Sequence, residues 1–429
     1  MRLIEDILRA AKQVADEAEV FYAQSESIAA DLKRDRIAIG SKSKGSGIII
    51  RIIKDGWIGV SCTDNPKTWK NCLEAACASA RFSDPLPWKG LPGPEEVNQK
   101  PLALDKRITT DPALVIDLIN RLKTGAEAYT ADITSGSASV AISEHTIANS
   151  NGLFYSTTGT QVHVSLEMIA GQSTGYESDT AWNLDIIDPE KTGKEAAFFA
   201  ARGQGGEEIE TGMYDVVLSP MAISQLLDAA VIPALSGRNV HTGRSVFAGK
   251  MGEHVAGDTI SLIDDPMDSR GVANCAWDGE GMPVRKIPFI ENGILRSFAY
   301  DLRTAYRYGE NPTASAVRTG QSGAPAIGNH NLILKGPEYD ILSDKSVYVH
   351  DLIGAHTANP MSGDFSVELS SPFFAYDGEL QEPIRTGMIS GNIFDILHKI
   401  QGCSTDTRTL GSTIVPSVRL SGISVIGRG

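Results

Sequence analysis

Apolar residues recur at helical spacing from the start of the chain. Leu3, Ile4, Ile7, Leu8, Ala11, Val14 and Ala15 fall on one side, with acids and a lysine opposite. That spacing predicts an amphipathic helix over residues 1–18. The pattern then changes to short runs of strand formers at 20–23, 28–32, 47–53 and 57–61. Lys54-Asp55-Gly56 sits between the last two and predicts a tight hairpin. Asn65-Pro66 opens a second helix that runs to residue 81, with Leu73, Ala76 and Ala80 on its inner face.

Residues 84–106 carry Pro85, Pro87, Pro92, Pro94 and Pro101 and read as a connector over the surface. A similar unit then recurs. Asp111-Pro112 opens a helix to residue 129, strands follow at 133–144 and 154–170, and Asn149-Ser150-Asn151-Gly152 turns between them. Two helix–hairpin units suggest an internal duplication. A third helix is expected at 190–201. Beyond Gly203-Gln204-Gly205-Gly206 strand patterns dominate, at 214–218, 259–263, 284–291, 294–300, 331–334, 347–352, 365–370, 372–376 and 418–426. Short helices are expected at 301–308 and 392–400. The expected fold is α+β. An α/β-layered domain with duplicated helix–hairpin units spans 1–205, and a β-rich domain spans 206–429.

The composition excludes several classes. With 41% apolar residues and 21% charged ones, the chain can build sizeable cores. No apolar run is long enough to span a membrane. Met1-Arg2-Leu3-Ile4-Glu5-Asp6 places acids where a signal peptide would have its apolar core. Five cysteines, with Cys72 and Cys77 spaced for neither zinc nor redox work, suit a reducing compartment. A cytoplasmic location is therefore expected. The net charge of −14 argues against direct nucleic-acid contact, which draws most of its affinity from cations on phosphate. The most basic stretch, Lys33-Arg34-Asp35-Arg36 with Lys42 and Lys44, reads as a strand edge or turn with solvated charges.

Six segments in order carry a family resemblance: GMYDVVLSP at 212–220, GRSVFAGKMGE at 243–253, DDP at 264–266, WDGEGMP at 277–283, IENGIL at 290–295 and NPMSGDFS at 359–366. Together they resemble the TldD/PmbA family of modulator-of-gyrase-type metalloproteases, and within it the PmbA/TldE branch. In the catalytic branch the helix after the first segment carries His-Glu-x-x-x-His and binds zinc. The matching positions here are Asp228, Ala229 and Pro233. None supplies an imidazole ligand or a base for bound water. The catalytic branch also uses a cysteine before its last strand, where this chain reads Asp406-Thr407-Arg408-Thr409-Leu410-Gly411-Ser412. Cys403 lies upstream in a different context.

The resemblance implies a non-catalytic subunit with no cofactor of its own, zinc residing in a TldD-type partner. It implies a homodimer or heterodimer that admits an unfolded peptide for proteolysis and peptide maturation. Asp278-Gly279-Glu280-Gly281 falls in the family core. Paired carboxylates can do acid–base work or hold a hard cation, and glycines can equally make a turn that the acids cap. A groove or structural role is expected of this loop. His241 and His254 share a glycine-rich stretch without a motif to fix them, and His330, His350 and His356 match no metal signature. Two other classes stay open: a self-sufficient hydrolase with a nucleophile among Ser219, Thr242 and Ser245, and a regulatory binding protein.

Overall fold

The computed structural model describes residues 2–97, 103–318, 320 and 323–427; Met1 and Pro101 of the sequence reading lie outside them. The chain folds as two units. The first repeats one arrangement twice, helix–three strands–helix. Helix α1 (Arg2–Ala11), strands β1 (Glu17–Lys33), β2 (Arg36–Lys54) and β3 (Trp57–Thr63) and helix α2 (Trp69–Ala80) form the first copy. Helix α3 (Pro112–Ala126), strands β4 (Asp132–Asn149), β5 (Phe154–Ala170) and β6 (Ser173–Ala181) and helix α4 (Pro189–Arg202) form the second. The copies join through antiparallel β1 and β4, giving one sheet in the order β3-β2-β1-β4-β5-β6.

Local chemistry explains the elements. Asp111 and Asp188 cap α3 and α4 by accepting N–H groups, and proline opens each helix. Asp55 and Gly56 take φ of 51° and 79°, the left-handed pair that a two-residue hairpin needs. Lys33 to Arg36 forms the β1–β2 turn, while Lys42 and Lys44 pair with Glu26 at 2.8 and 3.6 Å.

Three expectations change. The first helix ends at Ala11 because residues from Glu17 onward pair with β2, Glu17 opposite Ile53. The runs at 20–23 and 28–32 belong to one strand. Gln24, Ser25, Glu26 and Ser27 keep it going by pairing with β2 on one side and β4 on the other. Strand β6 is polar and carried no alternation. Gly175 within it lets α4 approach closely, since a Cβ there would lie 2.2 Å from the Ala196 carbonyl oxygen.

The sheet is buried on both faces. Val20, Ile48, Ile50 and Ile52 face α1 and α2, while Ile28, Ala30, Val140, Val162 and Val164 pack with α3 and α4. The opposite face carries Phe21, Ile49 and Ile147 toward the second unit, where Trp277 packs against them. The second unit is β-rich. Strand β7 (Gly212–Leu218), Ser346–Ile353, Asp364–Tyr376, Gly387–Asn392 and Thr413–Gly427 close on themselves, because the last strand also pairs with β7. The runs at 365–370 and 372–376 are one strand, irregular at Ser371, whose φ is 48°. Ile400–Leu410 runs antiparallel to the last strand.

A buried ion network joins the two units. Arg51 of β2 pairs with Glu19 of β1 at 2.5 Å and with Glu280 of the second unit; Glu19 also pairs with Arg318. All four side chains are 3% exposed or less. Glu19→Ala would leave two guanidinium groups sharing one carboxylate out of water. It is expected to reduce unfolding stability by about 3–5 kcal/mol, read as a lower urea midpoint with both units losing structure together.

Candidate functional site

Strand β7 leads into Ser219, whose Oγ accepts the N–H groups of Met221 and Ala222 and so caps helix α5 (Pro220–Leu226). The helix continues through a wide turn at Leu227–Val231, where the Ile232 N–H donates five residues back to Leu227. A last turn, Ile232–Ala234, contains Pro233. Proline cannot donate to the carbonyl four residues behind it. The widened turn sits just ahead of it.

The wide turn sets which side chains share a face. In a regular α-helix residues five apart point about 140° from one another. With hydrogen bonds spanning five residues they stack. Asp228 and Pro233 accordingly line the same cavity of about 260 Å³, with Asn239, Phe289, Asn329 and Leu332 in its wall. Ala229 turns instead toward the hydrophobic core. The Ser412 carbonyl accepts the Leu332 N–H at 2.8 Å and the Asn329 Nδ2 at 2.9 Å. The 406–412 stretch thus ends directly behind this wall. The fold brings both sequence segments to one place.

Family models match almost all of this architecture. The PmbA/TldA metallopeptidase C-terminal domain model matches residues 211–427, its central domain 107–204 and its domain 1 residues 18–80. The chain belongs to the PmbA/TldD family. An uncharacterized protein of Methanocaldococcus jannaschii is 30% identical, with 98% of this chain and 99% of that protein covered. The metalloprotease PmbA of Escherichia coli O157:H7 is 22% identical, with coverage of 98% and 96%. The crystal structure of TldE from Thermococcus kodakarensis superposes with a TM-score of 0.91 at 26% identity, covering 99% of this chain and all of that one.

The family's name implies a metal, and this cavity does not fit one. Among the described residues Asp228 is its sole carboxylate, Pro233 has no donor, and the lining includes neither histidine nor cysteine. Among the described residues no group of three or more His, Cys, Asp or Glu side chains could hold an ion. Cys403 lies in Ile400–Leu410, buried, its thiol pushed up to about 11 by burial. Arg408 reaches away to Glu177 of β6 at 2.7 Å.

In this PmbA/TldD chain the loop 278–281 is held on every side. Asp278 accepts the N–H groups of Glu280 and Met282 at 2.9 Å and of Ala316 at 3.1 Å. Gly279 and Gly281 lie against Ala316 and Leu153, and Gly281 has φ of 84°. Glu280 receives Arg51 and the Leu302 N–H. Burial pushes both carboxyls up.

The hydroxyls singled out as nucleophiles serve the backbone. Ser219, Thr242 and Ser245 donate to the carbonyls of His350, Arg238 and Ala234. His241 bonds Tyr300 and stacks on Tyr308, whereas His254 pairs with Asp258. His350 packs on Phe199 beside Glu177, and His356 is exposed. His330 is different: its Nδ1 lies 3.0 Å from Asp264, and it shares a second cavity with Cys275. Fifty-five residues separate that cysteine from the histidine, so no local motif reports the pair.

Burial pushes the Asp228 carboxyl up to about 6. An acid raised on folding weakens the native state above that pH and has no such effect once it is protonated in both states. The residue remains exposed to water in the cavity, which screens the effect to about 1 kcal/mol. Asp228→Asn is therefore expected to raise the melting temperature clearly at pH 8 and only slightly at pH 4, where the unfolded carboxyl is still partly ionised. Calorimetry at the two pH values checks this.

Proposed function

We propose that this chain is the non-catalytic, PmbA/TldE-type subunit of a TldD/TldE metalloprotease complex. It shapes the groove that admits an unfolded peptide, and a TldD-type partner supplies zinc and the activated water. Alone it is inactive toward peptides. The observation that carries this reading is the cavity beside the widened helix turn. Its backbone stacks positions 228 and 233 on one face, yet those positions hold one carboxylate and a proline. Catalytic zinc needs three protein ligands held by further hydrogen bonds.

Support for the subunit assignment comes from the likeness to the structure named TldE over its whole length. Relatives named metalloprotease support the link to proteolysis. The complex works in the cytoplasm in this reading. No helix among the described residues is long and apolar enough to cross a membrane. Lys42 and Lys44, near the β1–β2 turn, are paired with Glu26, and the net charge of −14 disfavours a nucleic-acid partner in this reading.

Two measurements test the reading. Elemental analysis of chelator-free protein is expected to find well under one zinc per chain, and sedimentation at micromolar concentration a dimer alone or with a TldD-type partner. One tightly held zinc per chain, or a monomer under both conditions, would overturn it. The triple variant Asp228→His, Ala229→Glu, Pro233→His is expected to bind zinc weakly and to leave peptide cleavage negligible. The third donor is still missing at 409–412. Cleavage at rates typical of zinc peptidases would show that the two segments are wrongly matched.

A further inference from the structure

A cysteine, a histidine and a carboxylate meet in the cleft between the two units, and the subunit reading leaves them unused. Asp264 ends the strand Ser261–Asp264 and is fully buried. Its Oδ1 accepts the backbone N–H groups of His330 and Asn331 at 2.9 and 2.8 Å. Its Oδ2 lies 3.0 Å from His330 Nδ1. The carboxylate is therefore fixed, and it fixes the imidazole with Nδ1–H toward it.

The other ring nitrogen is then the unusual atom. His330 is 4% exposed, and among the described residues its Nε2 has no well-aligned hydrogen-bond partner. A buried polar atom left unpaired weakens a fold, so its persistence calls for a use. The ring and Cys275 line one cavity of about 330 Å³, together with Phe21, His145, Trp277 and Arg318. The Cys275 thiol acts on the ring. Burial opposes protonation of His330, but Cys275 and Asp264 outweigh it and hold the imidazole well above its ordinary value. Among the described residues, the other ionisable groups around the cavity are Asp278, His145 and Arg318. Burial pushes Asp278 up and His145 down, and Arg318 is paired with Glu19.

We propose that Cys275 is a nucleophilic thiol, with His330 as its base and Asp264 as the orienting carboxylate, and that the cavity admits a low-mass disulfide. The class follows from the backbone donor at the sulfur. Acyl transfer needs donors aimed at an oxyanion, and the Cys275 N–H is already given to the Pro266 carbonyl at 3.2 Å. Thiol–disulfide exchange needs no oxyanion site. The Cys275 proton passes to His330 Nε2, and the sulfur attacks one sulfur of the disulfide. That S–S bond breaks as the new one forms. The departing thiolate takes the proton from His330. The low-mass disulfide is the oxidant, reduced to a thiol while Cys275 is oxidised to a mixed disulfide. No second cysteine lines the cavity, so the adduct persists until an external thiol removes it. The array is a relay and not a chelate, consistent with the lack of an ion-holding cluster among the described residues.

The test uses the full reduced chain with 2-hydroxyethyl disulfide, and adducts on each cysteine are followed by mass mapping. An ordinary thiol is about 1% ionised at pH 6.5. In general, an imidazole that takes a thiol's proton raises the thiolate fraction by up to about 100-fold, offset about tenfold by lower intrinsic nucleophilicity. Cys275 is expected to react about tenfold faster at pH 6.5 than the exposed Cys62. His330→Gln should remove that advantage, leave the Cys62 rate unchanged, and let Cys275 approach the parental rate at pH 9.5. The comparison of Cys275 with Cys62 in the parental chain stands even if the variant does not fold. Equal rates for the two cysteines at pH 6.5, or a Cys275 pH profile unaltered by His330→Gln, would overturn the proposal.

Discussion

Two arginines and two glutamates, taken out of water together, hold this molecule in one piece. Arg51, Glu19, Glu280 and Arg318 balance charge for charge. Each partner left alone in that setting would face a desolvation penalty its hydrogen bonds cannot offset. The network ties the floor of the sheet to the loop 278–281, and that loop in turn anchors Leu302 and Ala316. The cavity holding Cys275 and His330 exists because these contacts fix the spacing between the two units. A second tie, Arg408 to Glu177 with His350 beside it, fastens β6 to the barrel.

Much of the fold was legible because one face of each element is apolar. The run at 47–53 shows it best: alternate isoleucines face the helices and the second unit, so the whole run is apolar with one arginine inside it. That arginine, Arg51, was the one clue to the charged seam. What it pairs with lies 229 residues away at Glu280, beyond any local pattern. Strand β6 was illegible for the opposite reason. Its ladder bonds come from the backbone, and its side chains are polar on both faces.

The candidate sites divide the same way. Asp228, Ala229 and Pro233 stood out through a resemblance, and the fold brings the 406–412 stretch behind the same cavity. The widened turn that stacks 228 on 233 could not be read, since helical periodicity does not report where a helix takes an extra residue. Cys275, His330 and Asp264 had no motif between them. They converge because one strand end, one loop and the chain before another strand happen to border one cleft.

The widened turn also has a bearing on how such a site could be rebuilt or lost. A helix face is a matter of phase, and regular hydrogen bonding through 227–231 would place Pro233 about 140° from Asp228. Deleting a single alanine there would restore a regular helix with the two positions four apart, on one face again. At a spacing of five residues, the widened turn is what presents the side chains at 228 and 233 together. The geometry for two adjacent donors is thus stored in the main chain, separately from the donors themselves.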